Sequence, residues 1–484
     1  MTQKPLNILW ITCDEMRASA VSNYGNGLIR MPAFERMAKE GVRFDQCHVQ
    51  VPKCIPVRGQ LLSGRYPHVD GLRTMSQRDF SEGSFMLLKK DSPSLLRWLK
   101  EQGYVIGLTG KNHLLDKADA AEVFEAIPPL RKARKPLYEE RRPEWTRAYF
   151  GGRVSPDYDL DDYGDSVQVD RMIHFMGENR DRPFFGLCDI AEPHPPYKEW
   201  PGFADDIPLE SVPLPPMHEN LDTAPEPIRA CRVAHELDDL TDEDRRRILR
   251  AYYSQCRYAD RLVQRMLDAL DEMGLAENTL VILGADHGDF AGTYGCYEKW
   301  DTALYDCITR VPLLMRLPGR LPADLTIEAL VEGIDIAPTC LELLGMDVPS
   351  TVHGKSLMPL ITGEKADVHD AVFSQGGVEP EAIKNPGQNY QEKILPEYYG
   401  KQQTLIQHPE ALLRAHMVRT QTHKLIYRLS GSHELYDLVQ DPDELQNVYG
   451  QGAYAEVQAA LEARLLQFLV RYQNDRPFIE EIWA

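Results

Sequence analysis

Short, unbroken apolar runs recur along the first 345 residues or so: NILWIT (7–12), YVIGLT (104–109), PFFGLCDI (183–190) and TLVILG (279–284). Runs of this length without alternating polar positions predict strands buried on both faces. Helical signals fill the intervals. MPAFERMAKEG carries Pro32 near its first turn and Gly41 at its end; SPSLLRWLKEQG predicts a helix with Ser92 as N-cap, Pro93 at N1 and Gly103 as the stop. From Thr241 to Gly274 runs a long amphipathic helix that opens TDED. Strands alternating with helices predict an α/β fold, a large mostly parallel sheet flanked by helices.

Two stretches interrupt this rhythm. Residues 115–165 are charged and mixed with Pro and aromatics, and residues 375–410 are polar with Gly and Pro. Irregular segments of that length suit substrate-binding insertions or lids. HKLIYRL and HELYDL then predict two short strands, and residues 453–472 a helix, together a small α+β C-terminal subdomain. The expected division is a catalytic domain over 1–375 and, over 376–484, the subdomain with its substrate-binding insertion.

Composition narrows the setting. Of 484 residues 43% are hydrophobic and 26% charged, ordinary for a soluble enzyme, and no apolar run is long enough to cross a bilayer. The formal net charge of −20 disfavours nucleic acid and anionic membranes as partners. An anionic substrate would therefore need a local positive pocket. Nine scattered cysteines without a CxxC pair argue against a disulfide framework or zinc ribbon. With an N-terminus that lacks the long apolar core of a signal peptide, they lead to the expectation of a cytoplasmic protein.

In an open α/β sheet ligands bind beyond the carboxyl ends of the strands. Those ends carry Asp14 and Glu15 after the first run, Lys111 and His113 after the second, His194 after the third, and Asp286 and His287 after the fourth. Acids after strands also serve as helix N-caps, and Lys-x-His after a glycine is a common surface turn; the convergence of four such clusters outweighs both. Asp14, Glu15 and Asp286 offer hard oxygen ligands suited to Ca²⁺, Mg²⁺ or Mn²⁺. His287 could add a nitrogen, which would favour Mn²⁺, or bond to the substrate.

The stretch VPKCIPVRGQLLSGRYP (51–67) adds a cysteine at a helix start. Pro56 opens the helix, so Cys54 sits where the dipole favours an anion and Arg58, one turn on, can face the same anion. Four residues from Cys to Arg are too few for the loop of a cysteine phosphatase. A thiol beside a hard cation is a poor match, which implies that the sulfur does not persist in the working enzyme.

Cys54-Ile55-Pro56-Val57-Arg58 followed by LLSGRYPHVDG resembles the signature of the type I sulfatases of the alkaline-phosphatase-like superfamily. TGKNH, EPHPPY, GADHGD, Lys299 in GCYEKWDTALYDCITRVPLL and HELYDLVQDPDELQN extend the resemblance over nearly the whole chain. It implies that Cys54 is oxidised by a formylglycine-generating or sulfatase-maturing enzyme to Cα-formylglycine, whose hydrated aldehyde is the nucleophile. Asp14, Glu15, Asp286, His287 and residue 54 would hold one divalent ion, Ca²⁺ before Mg²⁺ or Mn²⁺. Arg58 would hold the diol, Lys111 and Lys299 the sulfate oxygens. His113 would assist the nucleophile, and His194 would protonate the leaving alcohol. Glu15 stands where relatives usually carry Asp, and Gly59 where Ser or Ala is usual. His68 is expected near the pocket rim.

The resulting expectation is a sulfuric ester hydrolase acting on a small organosulfate: a sulfated sugar, an aryl sulfate or choline sulfate. Choline would call for an aromatic cage, for which Trp145, Tyr149 and Tyr158 are available. The rivals are a phosphonate monoester or phosphodiester hydrolase on the same scaffold, disfavoured by the Lys111/His113 pair, and a non-catalytic binding protein unmodified at Cys54. The apolar tail FIEEIWA could pack on a second copy of the chain.

Overall fold

The computed structural model describes residues 5–74, 86–140, 150–218, 220–235, 237–380 and 407–472. Seven strands form the central sheet: β1 (Asn7–Cys13), β2 (Val42–His48), β3 (Val105–Thr109), β4 (Phe184–Ile190), β5 (Thr279–Ala285), β6 (Arg310–Arg316) and β7 (Leu325–Glu332). Their order is β7-β2-β6-β5-β1-β4-β3, and only β6 runs against its neighbours. The expected mostly parallel sheet is the one found. Every residue of β1, β4 and β5 is buried, as the unbroken apolar runs require. Fully burying each aliphatic side chain contributes about 1.5–3 kcal/mol.

One face of the sheet is covered by α1 (Pro32–Lys39), α4 (Gly164–Glu178) and α5 (Asp242–Glu272); the other by α2 (Cys54–Ser63), α3 (Leu95–Glu101) and α6 (Ile336–Leu343). The long helix α5 starts on a capping box in which the Thr241 hydroxyl accepts from Asp244 N and the Asp244 carboxylate accepts from Thr241 N. At α3 the cap differs from the expected Ser92. Ser94 accepts from Arg97 N, and Pro93 precedes the helix. Ser92 instead accepts from Lys89 N, closing the turn before the helix.

All ten residues of α2 are buried, so no face of that helix needs to be polar. A Cβ at Gly59 would lie 2.6 Å from Leu72 Cδ1, so a larger residue there would displace the Leu72 side chain. Gly64, at φ 68°, ends the helix in the left-handed conformation.

The C-terminal part is a four-stranded antiparallel sheet, β8 (Val372–Gly376), β9 (Ala415–Arg419), β10 (His423–Arg428) and β11 (Glu434–Asp437), packed against α7 (Ala455–Tyr472). Its first strand lies tightly over the backbone at Asp301, where a Cβ on Gly376 would collide with the Asp301 carbonyl. Trp300 Nε1 and the Thr302 hydroxyl both donate to Ala411 O, at 3.1 and 2.6 Å, and Arg428 donates to Thr302 O at 2.9 Å. The small sheet therefore forms one wall over the carboxyl ends of β1 and β5.

Candidate active site

The four strand-end clusters meet at one point. Asp14 follows β1, and its backbone N–H bonds to Ile190 O at the end of β4 (2.9 Å). Asp286 follows β5; its Oδ1 accepts from Glu15 N (3.0 Å) and His287 N (2.9 Å), tying the first cluster to the fourth. Glu15 adopts φ 73°, a left-handed conformation that Asp or Asn accepts more readily than Glu. Its Oε2 lies 2.6 Å from Lys299 Nζ and 3.5 Å from His194 Nε2. Lys111 Nζ lies 2.5 Å from Asp14 Oδ2. Gly110, at φ 90°, permits that loop to pass against the Asp189 carbonyl, which a Cβ would strike.

Cys54 enters from the opposite face, as the first residue of α2. No side chain caps that helix, so its amide dipoles point toward the acids with nothing interposed from the cap residue Lys53. Lys53 instead pairs with Asp301 at 2.8 Å. His287 Nε2 stands 3.2 Å from the Cys54 sulfur, and His113 also hydrogen-bonds to that sulfur. Burial and Asp14 push the thiol up, but Lys299, His287 and His113 pull it down to about 5. The pocket thus favours an anion at position 54.

Arg58 lies one turn into α2 and spans three carboxylates: Asp189 at 2.6 Å, Asp286 at 3.0 Å and Asp14 at 3.3 Å. Asp189 was not among the sequence candidates, since it sits inside the apolar run of β4. The signal available was that it is the only charged residue of that run. Burial would raise the Asp14 carboxyl, yet Lys111, His194 and Arg58 hold it well below the usual range. Burial would lower Lys299, but Glu15 and Cys54 hold it well above its ordinary value.

Two histidine tautomers follow from backbone contacts. The carbonyls of Gly288 and Pro195 only accept, so Nδ1 of His287 (2.9 Å) and Nδ1 of His194 (2.7 Å) carry the proton. His287 Nε2 is thereby aimed at Cys54, Asp14 and Asp286, the arrangement by which metal-binding imidazoles are oriented. His194 Nε2 likewise accepts from Lys299 Nζ at 3.1 Å.

This donor set fits a divalent cation. Ligand atoms of Asp14, Cys54, Asp286 and His287 all lie within 4.8 Å of one another. The buried oxygens Asp14 Oδ1 and Glu15 Oε1 have no hydrogen-bond partner among the described residues. A second carboxylate-histidine group, Glu332, Asp335 and His369, differs in kind. Its oxygens already accept from Tyr66, Phe373 N, Lys355 N, Glu332 N and His369, so it is a structural clasp.

His68 lies on the turn after α2, where its ring packs against Tyr66 and Phe468. Tyr158 packs on Trp200 and donates to Arg134 O, a core position; Trp145, Tyr149 and the tail FIEEIWA lie outside the described residues.

A family model described as Sulfatase matches residues 6–346, and one described as N-sulphoglucosamine sulphohydrolase, C-terminal, matches residues 373–471. The chain belongs to the sulfatase family. This sulfatase is 24% identical to an N-acetylglucosamine-6-O-sulfatase of Bacteroides thetaiotaomicron, over 98% of this chain and 88% of that relative. It shares its fold with a protein solved in complex with its substrate D-glucosamine-2-N,6-O-disulfate (TM-score 0.71, 23% identity, 98% of this chain and 99% of that one). It also shares it with the phosphonate monoester hydrolase of Agrobacterium radiobacter (TM-score 0.72, 22% identity, 96% of both chains). As a member of this family it is a sulfuric ester hydrolase.

Proposed function

We propose that this sulfatase releases inorganic sulfate from a small sulfated sugar, with residue 54 acting as Cα-formylglycine and with one divalent ion, Ca²⁺ before Mg²⁺ or Mn²⁺. The observation that carries the reading is the meeting of Cys54 with Asp14, Asp286 and His287 within 4.8 Å. A sulfated-sugar substrate is supported by the names of the relative and of the solved complex.

Asp14, Asp286, His287 and Glu15 would hold the ion, which polarises sulfate oxygens and favours the anionic form of its neighbour. The hydrate of a formylglycine at 54 supplies an oxygen nucleophile whose second hydroxyl can later expel the sulfate. The chain's own residues do the rest. Lys111 and Lys299 offer ammonium groups to the equatorial sulfate oxygens, where charge grows as the ester bond breaks. His113, hydrogen-bonded to the Cys54 sulfur, stands where it can take a proton from the nucleophile. His194 Nε2, oriented by a 3.1 Å hydrogen bond from Lys299, stands where it can pass a proton to the departing alcohol oxygen. Arg58, fixed by three carboxylates, keeps Asp14 and Asp286 at the spacing the ion needs.

The phosphonate monoester hydrolase reading draws on the shared fold alone. Against it stand Lys111 on Asp14 and His113 on Cys54, two groups suited to a monoester with three terminal oxygens. We further propose a reducing, cytoplasmic setting, supported by nine free and buried cysteines, and maturation by a formylglycine-generating enzyme.

The test is a sulfate-release screen of the matured enzyme on a sulfated monosaccharide, an aryl sulfate and choline sulfate, run beside an aryl phosphonate monoester. The expected order puts the sulfated sugar first. A phosphonate turned over much faster than every sulfate would reverse the assignment. Intact mass should show residue 54 with H₂S lost and one oxygen gained; an unmodified thiol in protein from its native host would favour a binding protein.

A further inference from the structure

Beside the catalytic wall lies a second polar cluster that the chemistry above does not use. On the antiparallel pair β8–β9, Gln375 and His416 face each other in register. Gln375 also lies against His68, from the turn after α2. Arg73 reaches in from the same turn, and Arg414 from just ahead of β9. Both guanidinium groups share one carboxylate: Arg73 Nη1 lies 3.6 Å from Glu379 Oε1, and Arg414 pairs with the same oxygen. Among the described residues these two cations share one ion-pair partner, an exposed glutamate, with Asp70 acting on Arg73 as well.

The hydrogen-bonding capacity of the cluster is largely unspent. Nδ1 of His416, Nε of Arg73 and Nε2 of Gln375 are buried atoms without a hydrogen-bond partner among the described residues, while His68 hydrogen-bonds to the Gln375 side chain. Gln375 is 5% exposed. Buried donors without a partner are costly, and here they are grouped at one place beside two guanidinium groups. Burial, together with Arg73 and Arg414, pushes His68 down to about 4, and burial with the same cations pushes His416 down to about 3. Near neutral pH the two imidazoles are therefore uncharged and can donate N–H groups. Repulsion from Arg414, on top of burial, lowers Arg73 as well. An anion would relieve that repulsion and accept from the unpaired donors.

We infer that Arg73, Arg414, His68, His416 and Gln375 form a second anion subsite, which binds a carboxylate or a further sulfate on the same sugar. It is joined to the centre through Gly376, seated on the Asp301 backbone, and through the Asp301–Lys53 pair next to Cys54. The substrate class becomes a sugar with two anionic groups, one at residue 54 and one at the β8–β9 edge. In a chain of net charge −20, a positive patch here also selects against neutral competitors. This subsite rests on the sulfated-sugar reading and names its substrate more narrowly.

The experiment uses full-length Cys54→Ala protein with Ca²⁺, titrated calorimetrically with glucose 2-sulfate, glucose 2,6-disulfate and glucuronate 2-sulfate, which differ only at carbon 6. One or both dianions should bind about 10- to 100-fold tighter than the monosulfate, and which of them does so tells carboxylate from sulfate. Arg73→Gln and Arg414→Gln should each erase most of that preference while leaving glucose 2-sulfate affinity unchanged. Glu379→Gln, which removes the internal competitor, should increase it. Equal affinity for all three sugars, or a preference untouched by these variants, overturns the subsite. The sulfatase reading stands or falls separately, on hydrolysis of 4-nitrophenyl sulfate by matured wild-type enzyme.

Discussion

His287 Nε2 lies 3.2 Å from the Cys54 sulfur, with its other ring nitrogen tied to the Gly288 carbonyl. One imidazole thus faces the nucleophile position and the acids at once, with its ring orientation fixed by the backbone. Cys54→Ala should retain the fold, because α2 is anchored by the rest of its buried length. Sulfate release should fall by about 10³-fold or more, the scale seen when a nucleophile is removed. Circular dichroism beside a sulfate assay reads both outcomes.

The His194–Lys299 pair predicts a dependence on leaving group. His194→Ala should lower turnover of a sugar sulfate by about 10²–10⁴-fold. An aryl sulfate, whose phenolate departs without help, should be affected far less. Lys299→Met removes charge from the sulfate itself and should cost about 10²–10³-fold on both substrates. Equal losses on both substrates for His194→Ala would remove it from the proton-delivery role.

Chelation should abolish activity, and added Ca²⁺ should restore it with a rise in melting temperature. Asp189→Asn tests the residue missed in the sequence. Arg58 would lose its 2.6 Å partner and pull harder on Asp14 and Asp286. Metal affinity should then fall by about 10–100-fold, measured as the Ca²⁺ concentration that restores half of the activity.

The buried clasp at His369 predicts a loss of stability in alkali. Burial lowers this imidazole, but Asp335, 2.9 Å away, raises it from 6.5 to about 9. A raised folded value means the protonated form is favoured in the native state. The contribution is complete below the unfolded value near 6.5 and is lost as pH rises through about 9. Its size is on the order of 3 kcal/mol at most. Glu332, raised by burial to about 7, acts in the same sense at lower pH. Denaturant unfolding between pH 6 and 10 should show the decline in wild type and a flatter profile in His369→Gln.

The parallel core was legible because β1, β4 and β5 are buried on both faces and so carry unbroken apolar runs. The residues after those strands were legible for a related reason: polar side chains directly after buried strands have to be at the rim. Asp189 escaped because a charge within an apolar run has no periodic signature; only its pairing with Arg58 gives it meaning. Ser92 and Ser94 flank Pro93 symmetrically, and pattern alone cannot tell which hydroxyl meets a helix amide. His68 and His416 are 348 positions apart by number, joined only once β8 and β9 pair and α2 turns back beneath them.

The close seat of Gly376 on Asp301 has a consequence for how the protein divides. At Gly376 the small sheet meets the loop that carries Lys299 backbone to backbone, and the Trp300 and Thr302 side chains pin that loop to Ala411, which resists sliding of one past the other. Cutting the chain ahead of Val372 would open the floor of the pocket rather than release a free-standing catalyst, and changes of substrate are most readily made on strands that touch no reacting atom.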